Sequence, residues 1–188
     1  MKSLLTLYIL LFSPLVFAKN ISDFEIEGMS VGDSLLDYYS ENEIKESSDA
    51  NVYDSDKFNG KIIKIKIKQY DELRVIFKKE DNKKYIIDSI GGRINFKKNI
   101  NDCFLKQDEI INSISNIIKN ISWNRNQFND ADGTYLTVYS NIEYGSVSVT
   151  CYDWKKELET KYGWWDMLQV GLDSYEYISD VSGKEISN

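Results

Sequence analysis

The stretch NDCFLKQDEIINSISNIIKNI, Asn101 to Ile121, decides how the rest of this chain is read. In it Ile110, Ile111, Ile114, Ile117, Ile118 and Ile121 recur three and four residues apart, a spacing that lines one face of a helix with apolar side chains. Asp102 is placed to cap that helix, which predicts it over about 102–121 with Cys103 in the first turn. The chain has one other cysteine, Cys151. A bond between the two would pin the start of the helix to the segment around residue 151.

Upstream of this helix, Lys61 to Phe96 reads as a strand meander. In KIIKIKIK the residues Ile63, Ile65 and Ile67 point one way and Lys64, Lys66 and Lys68 the other, a period of two with one buried and one wet face. Leu73 to Lys79 continues the pattern, with Val75 and Phe77 inward and Arg74 and Lys78 outward. Tyr85 to Ile90 is the third strand, and Gly91-Gly92 is expected to break it as a bulge or bend before Ile94 and Phe96. Before the meander, Ser30 to Asp33 and Ser40 to Glu43 have capping-box form and predict short helices over about 31–39 and 41–48. Residues 19–27 are an acidic lead with the look of an edge strand, and residues 47–60 read as a loop.

Downstream, Ser122 to Gly133 reads as a polar loop carrying Trp123 and Phe128. Tyr135 to Tyr139 and Val147 to Cys151 form an expected hairpin. Lys155 to Lys161 has room for one helical turn, Met167 to Leu172 is a last strand, and Ser174 to Val181 is a terminal helix or tail. The predicted fold is therefore α+β. Residues 19–98 form a helix-helix-meander half and 99–188 a helix-meander half, as two parts or one continuous domain, packed around the central helix with one disulfide.

The chain opens MKSLLTLYILLFSPLVFAKN: one lysine, an apolar run from Leu4 to Phe12, then Val16-Phe17-Ala18. A basic start, an apolar core and a small-residue site describe a secretory signal peptide over 1–18, cleaved between Ala18 and Lys19. An uncleaved anchor would need about 20 apolar residues in a row, and Ser13 and Pro14 interrupt the run. No cysteine follows that run to take a lipid, and no later segment has the composition of a transmembrane span. Export makes the cysteines readable. In an oxidising compartment an isolated pair forms a disulfide more readily than a metal or catalytic site, so Cys103 is expected to bond Cys151.

Charge and missing residue types exclude several functions. The net charge is −7, and loss of Lys2 with the leader would make it −8. Nucleic-acid-binding domains are usually strongly basic, so nucleic acid is not an expected partner. With no histidine in the chain, Ser-His-Asp and Cys-His catalysis and imidazole-built metal centres are excluded. The Gly91-Gly92 pair lacks a phosphate-loop context. No cofactor and no metal are expected.

Four constellations remain. Paired carboxylates, Glu25 with Glu27, Asp153, Asp166, or Glu157 with Glu159, have the chemistry for glycoside hydrolysis. Surface acids explain them more cheaply in a chain with 30 carboxylates. Asn129-Asp130-Ala131-Asp132-Gly133 invites comparison with a calcium loop, but Phe128 and Tyr139 stand where that loop needs acids, so a turn is the simpler reading. Trp154 and Trp164-Trp165 have the flat rings that stack on sugars, against a core role packed around the disulfide. Lys64, Lys66, Lys68, Arg74 and Lys78 form a basic face in an acidic protein. It is either a solvated edge protected by lysines or a contact for an anionic macromolecule.

Residues 28–90, with Gly28-Met29-Ser30 opening a helix, a second short helix and a three-strand meander, resemble the small periplasmic module of the outer-membrane assembly lipoproteins and the related beta-lactamase inhibitor proteins. The resemblance implies an αα-βββ unit used for protein contact, sometimes duplicated into one longer sheet. This chain lacks the lipidated cysteine of the lipoproteins and the Leu-Gly-x-Pro turn after the first helix. Together these readings lead to an exported, periplasmic or secreted, non-enzymatic binding protein, its partner an anionic macromolecule or an envelope protein. The alternative is a small carboxylate-dependent hydrolase of cell-envelope glycans.

Overall fold

The structure is a computed structural model that describes residues 20–50, 52, 55–64, 69–80, 84–96, 99–118 and 120–182. The leader with Ala18 and Lys19 of the expected cleavage site, and Lys66 and Lys68 of the basic face, lie outside the described residues.

The two expected meanders are one sheet. Eight antiparallel strands, β1 (Ser48–Asp49), β2 (Phe58–Ile63), β3 (Glu72–Lys78), β4 (Ile87–Phe96), β5 (Asn124–Asn129), β6 (Gly133–Ile142), β7 (Gly145–Trp154) and β8 (Asp166–Ser174), lie in the order β1-β2-β3-β4-β8-β7-β6-β5. Each half is a meander that ends at the centre. There β4 and β8 pair from Ser89 opposite Asp173 to Phe96 opposite Asp166, so backbone bonds as well as the helix join the halves.

Helix α2 (Ile100–Ile117) lies across the inner face of β4, β7 and β8. Its Cys103, Gln107, Ile110 and Ile114 are buried, and the 20–35 segment completes the same core with Ile21, Ile26, Met29 and Leu35. The helix starts earlier than expected because Asn99, not Asp102, caps it, its side chain accepting from the Asn101 N–H at 3.1 Å. It also stops short of Ile121, and Ile117 is left exposed. The Cys103–Cys151 disulfide joins α2 to β7.

Helix α1 (Glu41–Glu46) carries the predicted capping box: the Ser40 N–H donates to Glu43 Oε2 at 2.8 Å and the Glu43 N–H to Ser40 Oγ at 3.3 Å. The first box behaves differently. The Ser30 N–H donates to Asp33 Oδ2 at 2.8 Å, but Gly32 and Asp33 then bond the backbone of Ile87, and only a 3-10 turn, Leu35–Asp37, follows. Backbone groups spent on a strand cannot also build a helix. The acidic lead, expected as an edge strand, is likewise a 3-10 turn over Ile21–Asp23. Of the segment read as a polar loop, Asn124–Asn129 is β5.

Gly91 and Gly92 do not break β4, which runs straight through them. A Cβ at Gly92 would come within 2.6 Å of the Tyr70 ring, and one at Gly91 within 3.0 Å of the Gln169 side chain. The glycines make room for neighbours on opposite faces. Two more helices follow, α3 (Lys156–Tyr162) and α4 (Tyr175–Ser182). α4 covers one end of the outer face, where Tyr177 packs with Phe58 and Ile76 in a second, smaller core.

Candidate functional site

Side chains on β7 alternate. Cys151 points into the core beneath α2, so Thr150, Tyr152 and Trp154 point to the outer face. Register carries this across the sheet. Tyr135 of β6 stands opposite Tyr152, and Phe128 of β5 opposite Tyr135. The tryptophans expected around the disulfide are thus on the other side of the sheet from it.

There they form a ring cluster. Tyr152 and Trp154 stack with centroids 5.5 Å apart, and Tyr135 meets both edge-on at 5.2 and 5.6 Å. Beyond the strand end Trp164 packs on Trp154 at 4.9 Å, and Tyr162 of α3 on Trp164 at 5.6 Å. The C-cap Gly163, with φ +69°, turns the chain back from α3 and brings Trp164 over Trp154. Phe128, Tyr162 and Trp164 remain 54, 55 and 43 % exposed. Packing this dense gives the cluster a rigid outline while leaving a broad apolar area in water.

A polar row runs alongside it, one pleat on. Thr137 and Thr150 share a hydrogen bond at 3.0 Å, Arg93 Nε donates to Gln169 Oε1 at 2.8 Å, and Arg93 also pairs with Glu72 at 3.1 Å. Among the carboxylates singled out from the sequence, Asp166 stands at the start of β8, on the face that Leu168 shares, and touches this cluster through the Trp154 backbone. It accepts the Trp154 N–H at 3.1 Å, and burial, with the negative charges of Asp153 and Glu159, holds its carboxyl above the usual range against that bond. Glu157 and Glu159 are on α3. Glu25 and Glu27 are elsewhere, on the inner side of the sheet.

The 129–133 segment closes the β5–β6 turn. Asp130 accepts from the N–H groups of Asp132 and Gly133 at 2.7 and 3.0 Å and from the Tyr135 hydroxyl at 2.8 Å. Those bonds, the Tyr135 one foremost, lower its pKa. Among the described residues no group of three or more His, Cys, Asp or Glu could hold a metal ion, and no helix is long and apolar enough to cross a membrane.

Of the basic face, Lys64 is exposed just past the end of β2. Arg74 and Lys78 share the outer face, but α4 lies over them: Arg74 Nη2 donates to the Tyr177 hydroxyl at 3.1 Å, and Lys78 pairs with Glu176 at 2.6 Å. A helix from the far end of the chain takes up these two cations, which no local pattern in Lys61 to Lys79 announces. Sequence reasoning also left out Phe128, Tyr135 and Tyr152 as members of a surface cluster. Strand parity counted from Cys151 was the available signal.

A cavity of about 440 Å³ opens on the other side of the sheet, between α2, the Phe24–Gly28 segment and Tyr70. Its floor is the buried Ile114, Val147, Val170 and Leu172, and its rim the exposed Glu25, Glu27, Gln69 and Ile117. No protein-family model, curated protein or solved structure matches the chain.

Proposed function

We propose that this protein is exported, its leader removed between Ala18 and Lys19, and that it acts in the periplasm or outside the cell as a non-enzymatic binding protein. The contact is with another envelope protein, through the aromatic half of the sheet's outer face. The observation that carries the reading is the exposed cluster of Phe128, Tyr162 and Trp164 on the rigid base of Tyr135, Tyr152 and Trp154. Large aromatic side chains backed by packed neighbours are the common anchors of protein interfaces. Mutual stacking and edge contacts use ring faces that a sugar would need, which favours a protein over a glycan. Arg74 and Lys78 already hold Tyr177 and Glu176, which draws the contact away from the basic face. The buried disulfide supports export, since such bonds persist in oxidising compartments.

The test is recovery of a partner from periplasmic extract on immobilised mature protein, compared with Phe128→Ala/Trp164→Ala. Loss of two anchors at about 2 kcal/mol each weakens binding roughly a thousandfold. A protein retained by the wild type and lost by the variant is expected. Equal retention by both, or retention of glycan alone, refutes the reading.

One observation favours a second reading, a small glycan hydrolase. Asp166, bonded to the Trp154 backbone at the start of β8 and with its carboxyl held above the usual range by burial, has the character of a general acid. Turnover of a cell-wall glycan that Asp166→Asn abolishes without unfolding the chain would replace the binding role by that one.

A further inference from the structure

The cavity beneath α2 is independent of the aromatic face, since the sheet separates them. Its size falls in the range of small-molecule sites, about 300 to 1,000 Å³, and its floor is entirely apolar. The rim is the opposite. Glu25 and Glu27 are the only charged groups among the described residues that line it.

Glu27 owes its place there to a tight turn. Ile26 and Met29 exchange two backbone bonds, at 2.9 and 3.1 Å, across Glu27 and Gly28, both with positive φ, +53° and +79°. Two-residue turns of this kind favour Asn, Asp or Gly at the first position, because a longer side chain gains nothing from the left-handed region and pays sterically for it. Turn chemistry alone does not call for a glutamate. The carboxylate it places at the mouth has a use if the mouth meets a cation. Tyr70 completes the wall, its ring seated on Gly92, and burial with the charge of Glu27 pushes its phenol up to about 12.

We propose that this cavity binds a small amphiphilic cation, an alkyl or aryl chain on the Ile114, Val170 and Leu172 floor with its ammonium between Glu25 and Glu27. The apolar body leaves water for a dry wall and the head keeps its charge at the solvated rim. An anion of the same length meets two like charges instead.

The test is isothermal titration of the mature protein with octyltrimethylammonium, octanoate and octanol, each below its micelle concentration, in low salt. The cation is expected to bind saturably and at least tenfold more tightly than octanoate. Glu25→Gln/Glu27→Gln, a change confined to exposed positions, should bring the cation down to the level of octanol. Ile117→Trp, at a rim position on the last turn of α2, should block all three while the thermal transition stays in place. Octanoate or octanol binding as tightly as the cation overturns the proposal. So does absence of saturable cation binding, or undiminished cation binding by Ile117→Trp.

Discussion

Breaking the Cys103–Cys151 bond should cost this protein about 4 kcal/mol. The sequence separation is 48 residues, and in the chain-entropy model a closed loop of that length removes about 14 cal/mol/K from the unfolded ensemble, or roughly 4 kcal/mol at 25 °C. The native state gives little back, because both sulfurs are sealed in the core, Cys103 at 0 % and Cys151 at 1 % exposure. Two perturbations separate the contributions. Reducing the wild type keeps both sulfurs, each now a thiol that must draw back to van der Waals contact, and so reads mainly the loop, whereas Cys103→Ala/Cys151→Ala removes the sulfurs and leaves a small void, adding about 1 to 2 kcal/mol. The assay is equilibrium urea unfolding followed by tryptophan fluorescence. With a slope near 2 kcal/mol per molar, reduction should move the midpoint down by about 2 M. A reduced wild type within about 1 kcal/mol of the oxidised protein would refute the reasoning, and would mean that α2 and β7 stay together in the unfolded chain without the bond.

Three further outcomes follow from particular contacts. Gly92→Ala should destabilise by about 1 to 3 kcal/mol, because its Cβ would fall within 2.6 Å of the Tyr70 ring; unchanged urea stability would show that Tyr70 is not seated there. Gln107, at 1 % exposure, donates from one amide nitrogen to the carbonyls of Leu136 and Val149 at 2.8 and 2.7 Å, so Gln107→Leu should lose about 2 kcal/mol despite its similar volume, as read by denaturant unfolding. Burial raises the pKa of Asp173, against the Ser89 hydroxyl and the charge of Arg74. The folded chain therefore holds this proton more tightly than the unfolded one. Its contribution is fully present below the ordinary carboxylate value near 4 and is lost as pH rises from there through the raised folded value. Asp173→Asn removes that loss, so its Tm relative to wild type should climb between pH 4 and 7, and a constant difference would contradict the assignment.

Short-range pattern carried much of this architecture. The isoleucine spacing in 101–121 and the two-residue period around Val75 and Phe77 are local consequences of helix and strand geometry. Val75 and Phe77 face inward as expected, and of the isoleucine stripe Ile110 and Ile114 are buried while Ile117 is exposed and Ile121 lies beyond the helix. The Ser40 box is also local, since its partners lie three residues apart. Where a tertiary partner competed for the same backbone groups, local signals misled. Ile87 drew Gly32 and Asp33 out of a helix. The start of α2 was misplaced for a local reason, since Asn99, two residues before Asn101, supplies the cap in place of Asp102. The glycine pair reads as a bend because a missing side chain looks the same in sequence whether it serves φ or space. Tyr70 and Gln169, distant in the chain, make it space.

By itself the sequence determined an α+β chain with an amphipathic central helix, a β-rich remainder, no histidine chemistry and a single pair of cysteines, because composition and periodicity are properties of neighbours along the chain. The tertiary structure alone decided that β4 and β8 fuse the two meanders into one sheet, that Trp154 and Trp164 gather on the face away from the disulfide, that α4 takes up Arg74 and Lys78, and that a cavity rimmed by Glu25 and Glu27 opens under α2. Each of these depends on which strand edges meet and in what register, and a shift of one residue in that pairing would send every side chain to the opposite face.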